Sequence, residues 1–274
     1  MPVNPFYTLI IGADRPLGQC VARTLAADSL HYKSYAITGR ERINVQSSGQ
    51  PFFVLTPSVA SLSDIDDAFY WVDALEEHDA PIVLVSSLAV FAPLAAGGKI
   101  AESSTRYANS GQAQRLLALE ERVRQCRRYL ILRVGQSFSV QSGDFAHALL
   151  TALRDRGAVT VDDVELFNPT PDDDIAAVLL AMLKQADCSD QLWGTYHFCG
   201  VEPVSAFGFA EALLAEASQY EDLSHVRLES ETGSFRPAWH VPCGDVTLLF
   251  HTFGIKRRPW RPGLGRLLRR YYRA

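Results

Sequence analysis

Apolar and polar residues alternate in blocks along the chain, and the blocks predict a repeated strand and helix order. Short apolar runs predict buried strands, and apolar residues at helical spacing predict the helices between them. The predicted strands are residues 7–11, 34–38, 51–57, 82–91, 129–134, 159–161, 195–198 and 226–229. The first predicted helix follows the turn at Gly12. The further predicted helices are residues 63–77, 107–125, 145–154, 172–185 and 204–216. This order predicts an α/β fold with a parallel sheet and helices on both faces.

The first strand, its turn and the following helix form the motif around which the other predictions are arranged. Gly12 and Gly18 bracket the turn, and the middle position, where a third glycine is expected, holds Arg15 or Pro16, depending on the spacing. The free amides of a first helical turn bind anions, and in a Rossmann-like sheet the anion is usually the pyrophosphate of a dinucleotide. A dinucleotide site and a turn that binds nothing both stay open.

The end of the second strand is where such folds select their cofactor. An acidic residue there binds a ribose 2′-hydroxyl, whereas an arginine accommodates a 2′-phosphate. Arg40 follows the strand at 34–38, and Arg40 with Arg15 favours NADP, although NAD stays possible and both could be solvated loop arginines. Residues 42–51 leave little room for a further strand and crossover helix.

Two serines end the central apolar strand, Ser86 and Ser87. Ligands of open α/β sheets bind at this carboxyl edge. We therefore predict cofactor contacts at Gly12, Asp14, Arg15, Leu17, Gly18, Arg40 and Ser86.

Polar residues also predict where two helices begin. Ser63 is the expected N-cap of the helix at 63–77, since a serine oxygen satisfies a free amide there. Thr170 as N-cap with Pro171 at the first helical position predicts the start of the helix at 172–185.

Composition excludes several classes of protein. The chain has 274 residues, 47% of them hydrophobic, and a net charge of −5, which argues against a nucleic-acid partner. The five cysteines are scattered without a CxxC pair, as in reduced cytoplasmic proteins. We see no metal-ligand spacing, no targeting leader and no apolar run of the ~20 residues that span a bilayer.

The C-terminal segment is basic. From Lys256 onward it carries eight basic residues and no acidic ones. We favour a helix docked on an acidic body, with Leu264, Leu267 and Leu268 facing inward, over a patch for a phosphate-bearing partner.

Several short motifs, in their shared order, resemble the dTDP-4-dehydrorhamnose reductases, sugar-nucleotide members of the extended short-chain dehydrogenase/reductase superfamily. The resemblance covers nearly the whole chain, from about Tyr7 to Leu268. The motifs are Val85-Ser-Ser87 with Val90-Phe91, Leu132-Arg-Val-Gly135, Gly143-Asp-Phe145, Asp163 to Asn168-Pro-Thr170, Asp174-Ile-Ala-Ala177, Gly194-Thr-Tyr-His-Phe198 with Phe209-Ala210, Arg236-Pro237, Phe253-Gly-Ile255 and Trp260 with Gly263-Leu264.

The resemblance implies a hydride transfer from a nicotinamide to a sugar ketone. It places Ser87 where a Ser or Thr orients the ketone oxygen and Tyr107 where a tyrosine donates a proton. The lysine four residues later, whose ammonium brings the tyrosine pKa closer to neutral, is Gly111 here. Arg115 is two turns from Tyr107 on the expected helix, about 12 Å along its axis.

Two functions therefore stay open. The first is an NADPH-dependent reductase of a nucleotide-activated keto sugar, and the second is a catalytically degenerate relative that binds a nucleotide or nucleotide sugar without turnover. We expect a dinucleotide-binding region at 1–135, shortened at 42–51, and at 136–274 a region that combines a small substrate lobe with returning elements of the sheet. A homodimer is possible.

Overall fold

Strands and helices alternate along most of the chain. The computed structural model describes residues 6–40, 42–43, 45, 51–91, 99–106, 108, 110–141, 143–237 and 241–273. The strands are β1 Tyr7–Ile11, β2 Tyr32–Tyr35, β3 Pro51–Leu55, β4 Ile82–Ser87, β5 Tyr129–Val134, β6 Gln136–Phe138, β7 Ala158–Val161, β8 Leu166–Phe167, β9 Pro169–Pro171, β10 Gly194–Phe198, β11 Val204–Ser205 and β12 Arg227–Ser230. The helices are α1 Pro16–Ala27, α2 Leu62–Glu76, α3 Gly111–Arg124, α4 Phe145–Asp155, α5 Asp172–Ala186, α6 Ala206–Ala217, α7 Thr247–Phe253 and α8 Trp260–Tyr271, with a 3₁₀ turn at Leu88–Val90.

Six parallel strands form the central sheet, in the order β10-β5-β4-β3-β1-β2. Because successive side chains of a strand point to opposite faces, Ile10 and Val54 pack with α1 and α5, whereas Leu9 and Leu55 pack with α2 and α3. Both faces are covered, which is why the central strands β1, β3, β4 and β5 are mostly apolar on both faces. The predicted α/β class with a Rossmann-like parallel sheet is confirmed.

The strand order places a crevice at one end of the sheet. β1 lies between β2 and β3, so the chain moves outward from β1 and then returns to its other side. Ligands of open α/β sheets bind at such a switch point, beyond the carboxyl ends of the strands. Among the described residues no strand lies outside β2, in agreement with the short segment at 42–51.

A smaller lobe covers the carboxyl edge of the sheet. Its connection begins at β6, which pairs with β9, and it contains α4, α6, α8 and two further strand pairs, β7 with β12 and β8 with β11. Phe209 and the fully buried Trp260 stack in its core at 5.2 Å.

The basic C-terminal segment forms α8, and its apolar face closes the lobe. Leu264, Leu267 and Leu268 are buried, and Arg266 and Arg270 pair with acidic residues at the start of α5 at 3.0 and 2.9 Å. The docked-helix interpretation is confirmed.

Several local predictions were wrong. α2 is capped by Ser61 rather than Ser63, since the Ser61 oxygen accepts the Asp64 amide at 3.2 Å. Thr170 lies in β9 and donates its hydroxyl to the Asn168 carbonyl at 3.0 Å, so it does not cap α5. The hydrophobic pattern does not predict β6, β8, β9, β11 and α7, because these elements are short, and the helix predicted from residue 204 begins at Ala206 instead. In the described residues, the helices are too short or too polar to cross a bilayer.

Candidate active site

A cleft of about 690 Å³ opens at the carboxyl edge of the sheet. One wall is the turn before α1, a second is the loop after β3, and the lobe forms the far side. Ser87 and Val134 lie at its base, at the ends of β4 and β5. The cleft therefore lies at the switch point and is bounded by both parts of the fold.

The turn before α1 is tightly packed around its two glycines. Gly12 has φ 102°, a left-handed conformation that favours glycine. A Cβ on Gly18 would lie 2.0 Å from the Gly12 carbonyl oxygen, so no side chain fits there. Since Leu17 and Gly18 open the helix, their amides lack intrahelical acceptors, and Leu17 lines the cleft. The backbone can therefore present free N–H groups to an anion.

Arg15 occupies the middle position of the turn, and its side chain spans to α2. Its Nε and Nη2 donate to the two carboxylate oxygens of Asp64 at 2.6 and 2.8 Å. Asp64 is almost fully buried and also accepts the Ser58 amide at 3.0 Å. Burial raises the pKa of Asp64, but the hydrogen bonds from Arg15, Ser58 and Ser61 together with the charge of Arg15 outweigh that effect, and the pKa is lowered. The ion pair fixes Arg15 along one wall of the cleft.

The other two charged residues of the predicted cofactor set also have protein partners. Asp14 accepts the Ile37 amide at 2.9 Å, which ties the turn to the end of β2. Arg40 donates to Asp67 at 2.8 Å and lies 3.9 Å above the Tyr70 ring. Arg15 and Arg40 thus both contact α2 through carboxylates. Their assignment to a 2′-phosphate stays a prediction.

The two serines at the end of β4 face opposite sides of the sheet. Ser87 lines the cleft, where its oxygen accepts the Ala89 amide at 3.1 Å and its O–H is left to donate. Ser86 is fully buried and donates to Glu120 at 2.6 Å. The cleft is thus lined by Ser87 and not by Ser86, whose assignment to the cofactor stays a prediction.

The region of the expected tyrosine and lysine differs from the prediction. Tyr107 lies outside the described residues. α3 begins at Gly111 with Ser110 as its cap, so the predicted helix start at 107 was wrong, and the two-turn helical spacing from Tyr107 to Arg115 does not apply. Gly111 is exposed. Arg115 donates to Asp66 on α2 at 2.5 Å.

A buried polar network behind Ser86 was not foreseen. Ser86, Arg133 and His197 are paired across β4, β5 and β10. Arg133 donates to both oxygens of Glu120 at 2.9 and 2.6 Å, and both residues are 1% exposed or less. Burial opposes the charge of Glu120, but the bonds from Arg133 lower its pKa. The one signal was a charged residue inside the apolar strand Tyr129–Val134.

Two carboxyl groups that were not foreseen line the lobe side of the cleft. Asp144 caps α4 and accepts the amides of Ser139, Ala146 and His147 at 2.5, 2.6 and 3.3 Å. Asp172 is the first residue of α5, is 3% exposed, and has an Oδ1 with no hydrogen-bond partner among the described residues. Burial raises the pKa of both groups. The sequence signals were a Gly-Asp-Phe cap and an acidic helix start.

The chain is similar to known proteins over most of its length. The model of the RmlD substrate binding domain matches residues 70–273. A curated dTDP-4-dehydrorhamnose reductase of Aggregatibacter actinomycetemcomitans is 25% identical over 93% of this chain and 96% of its own. Among solved structures, a dTDP-4-dehydrorhamnose reductase from Clostridium acetobutylicum superposes with a TM-score of 0.78 at 17% identity, over 97% of this chain and 99% of that one.

A second solved relative was determined with a dinucleotide. The dTDP-4-dehydrorhamnose reductase from Bacillus anthracis, in complex with NADP, has a TM-score of 0.74 at 17% identity, over 97% of this chain and 98% of that one. At this identity the likeness establishes the fold, and the match over residues 70–273 establishes the family.

Proposed function

The chain belongs to the RmlD substrate binding domain family, and from this premise we propose that it binds NADPH and a nucleotide-activated keto sugar in the cleft and reduces the sugar ketone. The name of the curated relative and the NADP complex of the Bacillus anthracis enzyme support this proposal.

The observation that carries the proposal is the turn at Gly12 and Gly18. A Cβ on Gly18 would overlap the Gly12 carbonyl oxygen at 2.0 Å, so this close packing of turn and helix needs glycine. The pyrophosphate would be held by the amides of Leu17 and Gly18 at the positive end of α1. Bound NADPH would supply the hydride for the ketone carbon.

Ser87 is the proposed group that orients the ketone. Its O–H is free to donate into the cleft, and a donor aimed at the ketone oxygen stabilises the charge that grows there during reduction. Tyr107 stays a prediction of the resemblance. Arg15 and Arg40 would bind the 2′-phosphate by exchanging a carboxylate partner on α2 for a phosphate.

A second candidate function is favoured by Gly111. Gly111 supplies no ammonium to bring the pKa of the expected tyrosine towards neutral. A protein that binds a nucleotide or nucleotide sugar in the same cleft without redox turnover is consistent with this substitution and with Arg15 at the middle position of the turn.

Calorimetric titration with NADPH tests the cofactor site. We expect binding by the unmodified protein and an affinity at least about tenfold weaker in Gly18→Ala, because the new Cβ displaces the turn. Gly157→Ala is the matched control, since a Cβ at Gly157 meets nothing within 4 Å. No binding by the unmodified protein at millimolar NADPH would exclude the reductase.

Turnover separates the two candidates. NADPH oxidation in the presence of dTDP-4-dehydrorhamnose supports the reductase. Binding of both ligands without oxidation of NADPH supports the degenerate binder.

A further inference from the structure

The carboxyl group of Asp172 lines the cleft, and one of its oxygens has no hydrogen-bond partner among the described residues. The residue is 3% exposed and lines the cleft, and its Oδ1 has no hydrogen-bond partner in the part of the chain that the structure describes. A buried polar group without a partner is costly. The cost is removed when a cleft ligand forms the missing hydrogen bond.

Asp172 lies where the central sheet with its helices meets the smaller lobe. It begins α5, which packs against α1, and its charge acts on Cys20 of α1. On its other side lies the Asp144 carboxyl, the cap of α4 in the lobe. Asp172 therefore lines the cleft together with the first turns of α1 and α4.

Of the two neighbouring carboxyls, Asp144 is the one whose environment supports an anion. It accepts three backbone amides and, at 3.1 Å, the Ser139 hydroxyl. Asp172 accepts no comparable set of donors among the described residues. Two carboxylates that face each other in a buried place do not both ionise readily. The arrangement therefore keeps the proton on Asp172.

The charged groups around Asp172 leave this conclusion unchanged. Asp173 on the same helix acts in the same direction as Asp144, whereas Arg23 of α1, Arg270 of α8 and the positive end of α5 favour the anion. The two arginines pair instead with Asp173, at 3.7 and 2.9 Å. Burial is the largest effect, and the pKa of Asp172 is raised well above its ordinary value.

Among the described residues that line the cleft, no other carboxyl has a pKa raised well above its ordinary value. Asp64 is paired with Arg15, which lowers its pKa, Asp144 accepts three backbone amides that oppose the effect of burial on its pKa, and the remaining polar groups of the lining are hydroxyls, an amide and the guanidinium of Arg236. At Gly111 there is no ammonium to support a tyrosine as the acid. Reduction of a ketone nevertheless requires a proton.

We propose that Asp172 is the proton donor to the ketone oxygen of the sugar in this cleft, an inference that rests on the proposed reductase function. The ketone carbon gains the hydride from NADPH, which leaves as NADP⁺. The carbonyl π electrons move to oxygen, which takes the Asp172 proton, and the resulting carboxylate is reprotonated from solvent. Ser87 orients the oxygen, and Asp144 keeps Asp172 protonated between turnovers.

Three variants test this role with dTDP-4-dehydrorhamnose as substrate. Asp172→Asn keeps the shape but has no acidic proton, so we expect kcat to fall by about 100-fold or more while the NADPH dissociation constant stays the same. The kcat of the unmodified enzyme should fall as pH rises through the Asp172 pKa, and this alkaline decrease should be absent in Asp172→Asn. Asp172→Glu, which keeps an acidic proton, should have a higher kcat than Asp172→Asn and should again show the decrease in kcat at alkaline pH. Asp173→Asn, the control from the same helical turn outside the cleft lining, should keep kcat and the alkaline decrease, with the decrease moved to lower pH because Asp173 raises the pKa of Asp172.

NMR of isotope-labelled aspartate carboxyls gives a readout that needs no turnover. The Asp172 signal, assigned by its loss in Asp172→Asn or its shift in Asp172→Glu, should be that of a neutral carboxyl at about pH 7. A signal of an ionised Asp172 at that pH overturns the proposal.

The remaining outcomes separate this proposal from the proposed function. The proton donor is another residue if the unmodified protein reduces the substrate and Asp172→Asn does so equally well. The same conclusion follows if Asp172→Asn retains the alkaline decrease in kcat and Tyr107→Phe abolishes it. In both cases the reductase function stands. If the unmodified protein neither binds NADPH nor reduces the sugar, the reductase function fails, and the donor role of Asp172 fails with it.

Discussion

Protonation of His197 should set how the stability of the fold depends on pH in mild acid. Its Nδ1 lies 3.0 Å from the Ile100 carbonyl oxygen and its Nε2 lies 3.3 Å from Arg133 Nη1. Because a guanidinium only donates, Nε2 must accept and Nδ1 must carry the proton. A second proton would point at Arg133. Burial first, and then the charge of Arg133, lower the pKa of His197 to about 4.

The magnitude follows from the difference between the folded and unfolded chains. A histidine in an unfolded chain titrates near pH ~6.5, so between about pH 6.5 and 4 the unfolded chain binds a proton that the folded protein excludes. The contribution of the neutral His197 to the free energy of unfolding is fully present above this pH window. Within the window it decreases by about 1.4 kcal/mol for each pH unit that the pH falls. The loss that His197 causes is roughly 2 kcal/mol at pH 5 and roughly 3 kcal/mol near pH 4.

Urea unfolding of the unmodified protein and of His197→Gln, at about pH 7.5 and about pH 5, measures this effect. The variant should be less stable than the unmodified protein at both pH values. Its free energy of unfolding should nevertheless fall by about 2 kcal/mol less than that of the unmodified protein between the two pH values, because glutamine does not titrate. His225→Gln replaces an exposed histidine and should keep the pH dependence of the unmodified protein. Equal losses in the unmodified protein and His197→Gln would refute the buried neutral imidazole.

Three further predictions concern the buried pair, the cofactor preference and the C-terminal helix. Glu120→Gln leaves the Arg133 guanidinium buried without its counter-ion, so the free energy of unfolding in urea should fall by about 3–5 kcal/mol; a loss below about 1 kcal/mol would mean that the pair is solvated. Arg40→Ala should weaken NADPH binding about tenfold and leave NADH binding unchanged in calorimetry, and equal weakening of both would remove Arg40 from the 2′-phosphate. Deletion from Arg266 onward should abolish the cooperative thermal unfolding transition seen by circular dichroism, whereas a normal transition with lost ligand binding would favour a phosphate patch.

Much of the sheet could be predicted because its information is local. β1, β3 and β5 are apolar at nearly every position, with Thr8 and Arg133 as exceptions, and a strand buried on both faces shows this pattern without reference to its neighbours. The two glycines of the turn, Gly12 and Gly18, are equally visible in the local sequence, although the turn they form packs against the distant Thr56. The same holds for α8, whose leucines recur at helical spacing.

The side chains of the cleft were harder to predict because their roles depend on distant partners. Nothing near Arg15 in the chain indicates its pair with Asp64 on α2. The three consecutive acids at the start of α5 look alike in sequence, and only the packing of α1 and α4 selects Asp172 for the cleft. The predicted start of α3 at Tyr107 was wrong because a helix start favours a side chain that accepts a free backbone amide. Ser110 has such an acceptor and caps the helix.

The pairing of β10 with β5 has a consequence for the order of folding. The segment between Val134 and Gly194 contains β6 to β9, α4 and α5, so this pairing closes a long loop, whereas β3, β4 and β5 are joined by shorter crossovers. Loop-closure entropy delays such distant contacts. The outermost strand therefore joins the nascent sheet late, and the chain reaches its native topology only when the intervening segment has collapsed onto it.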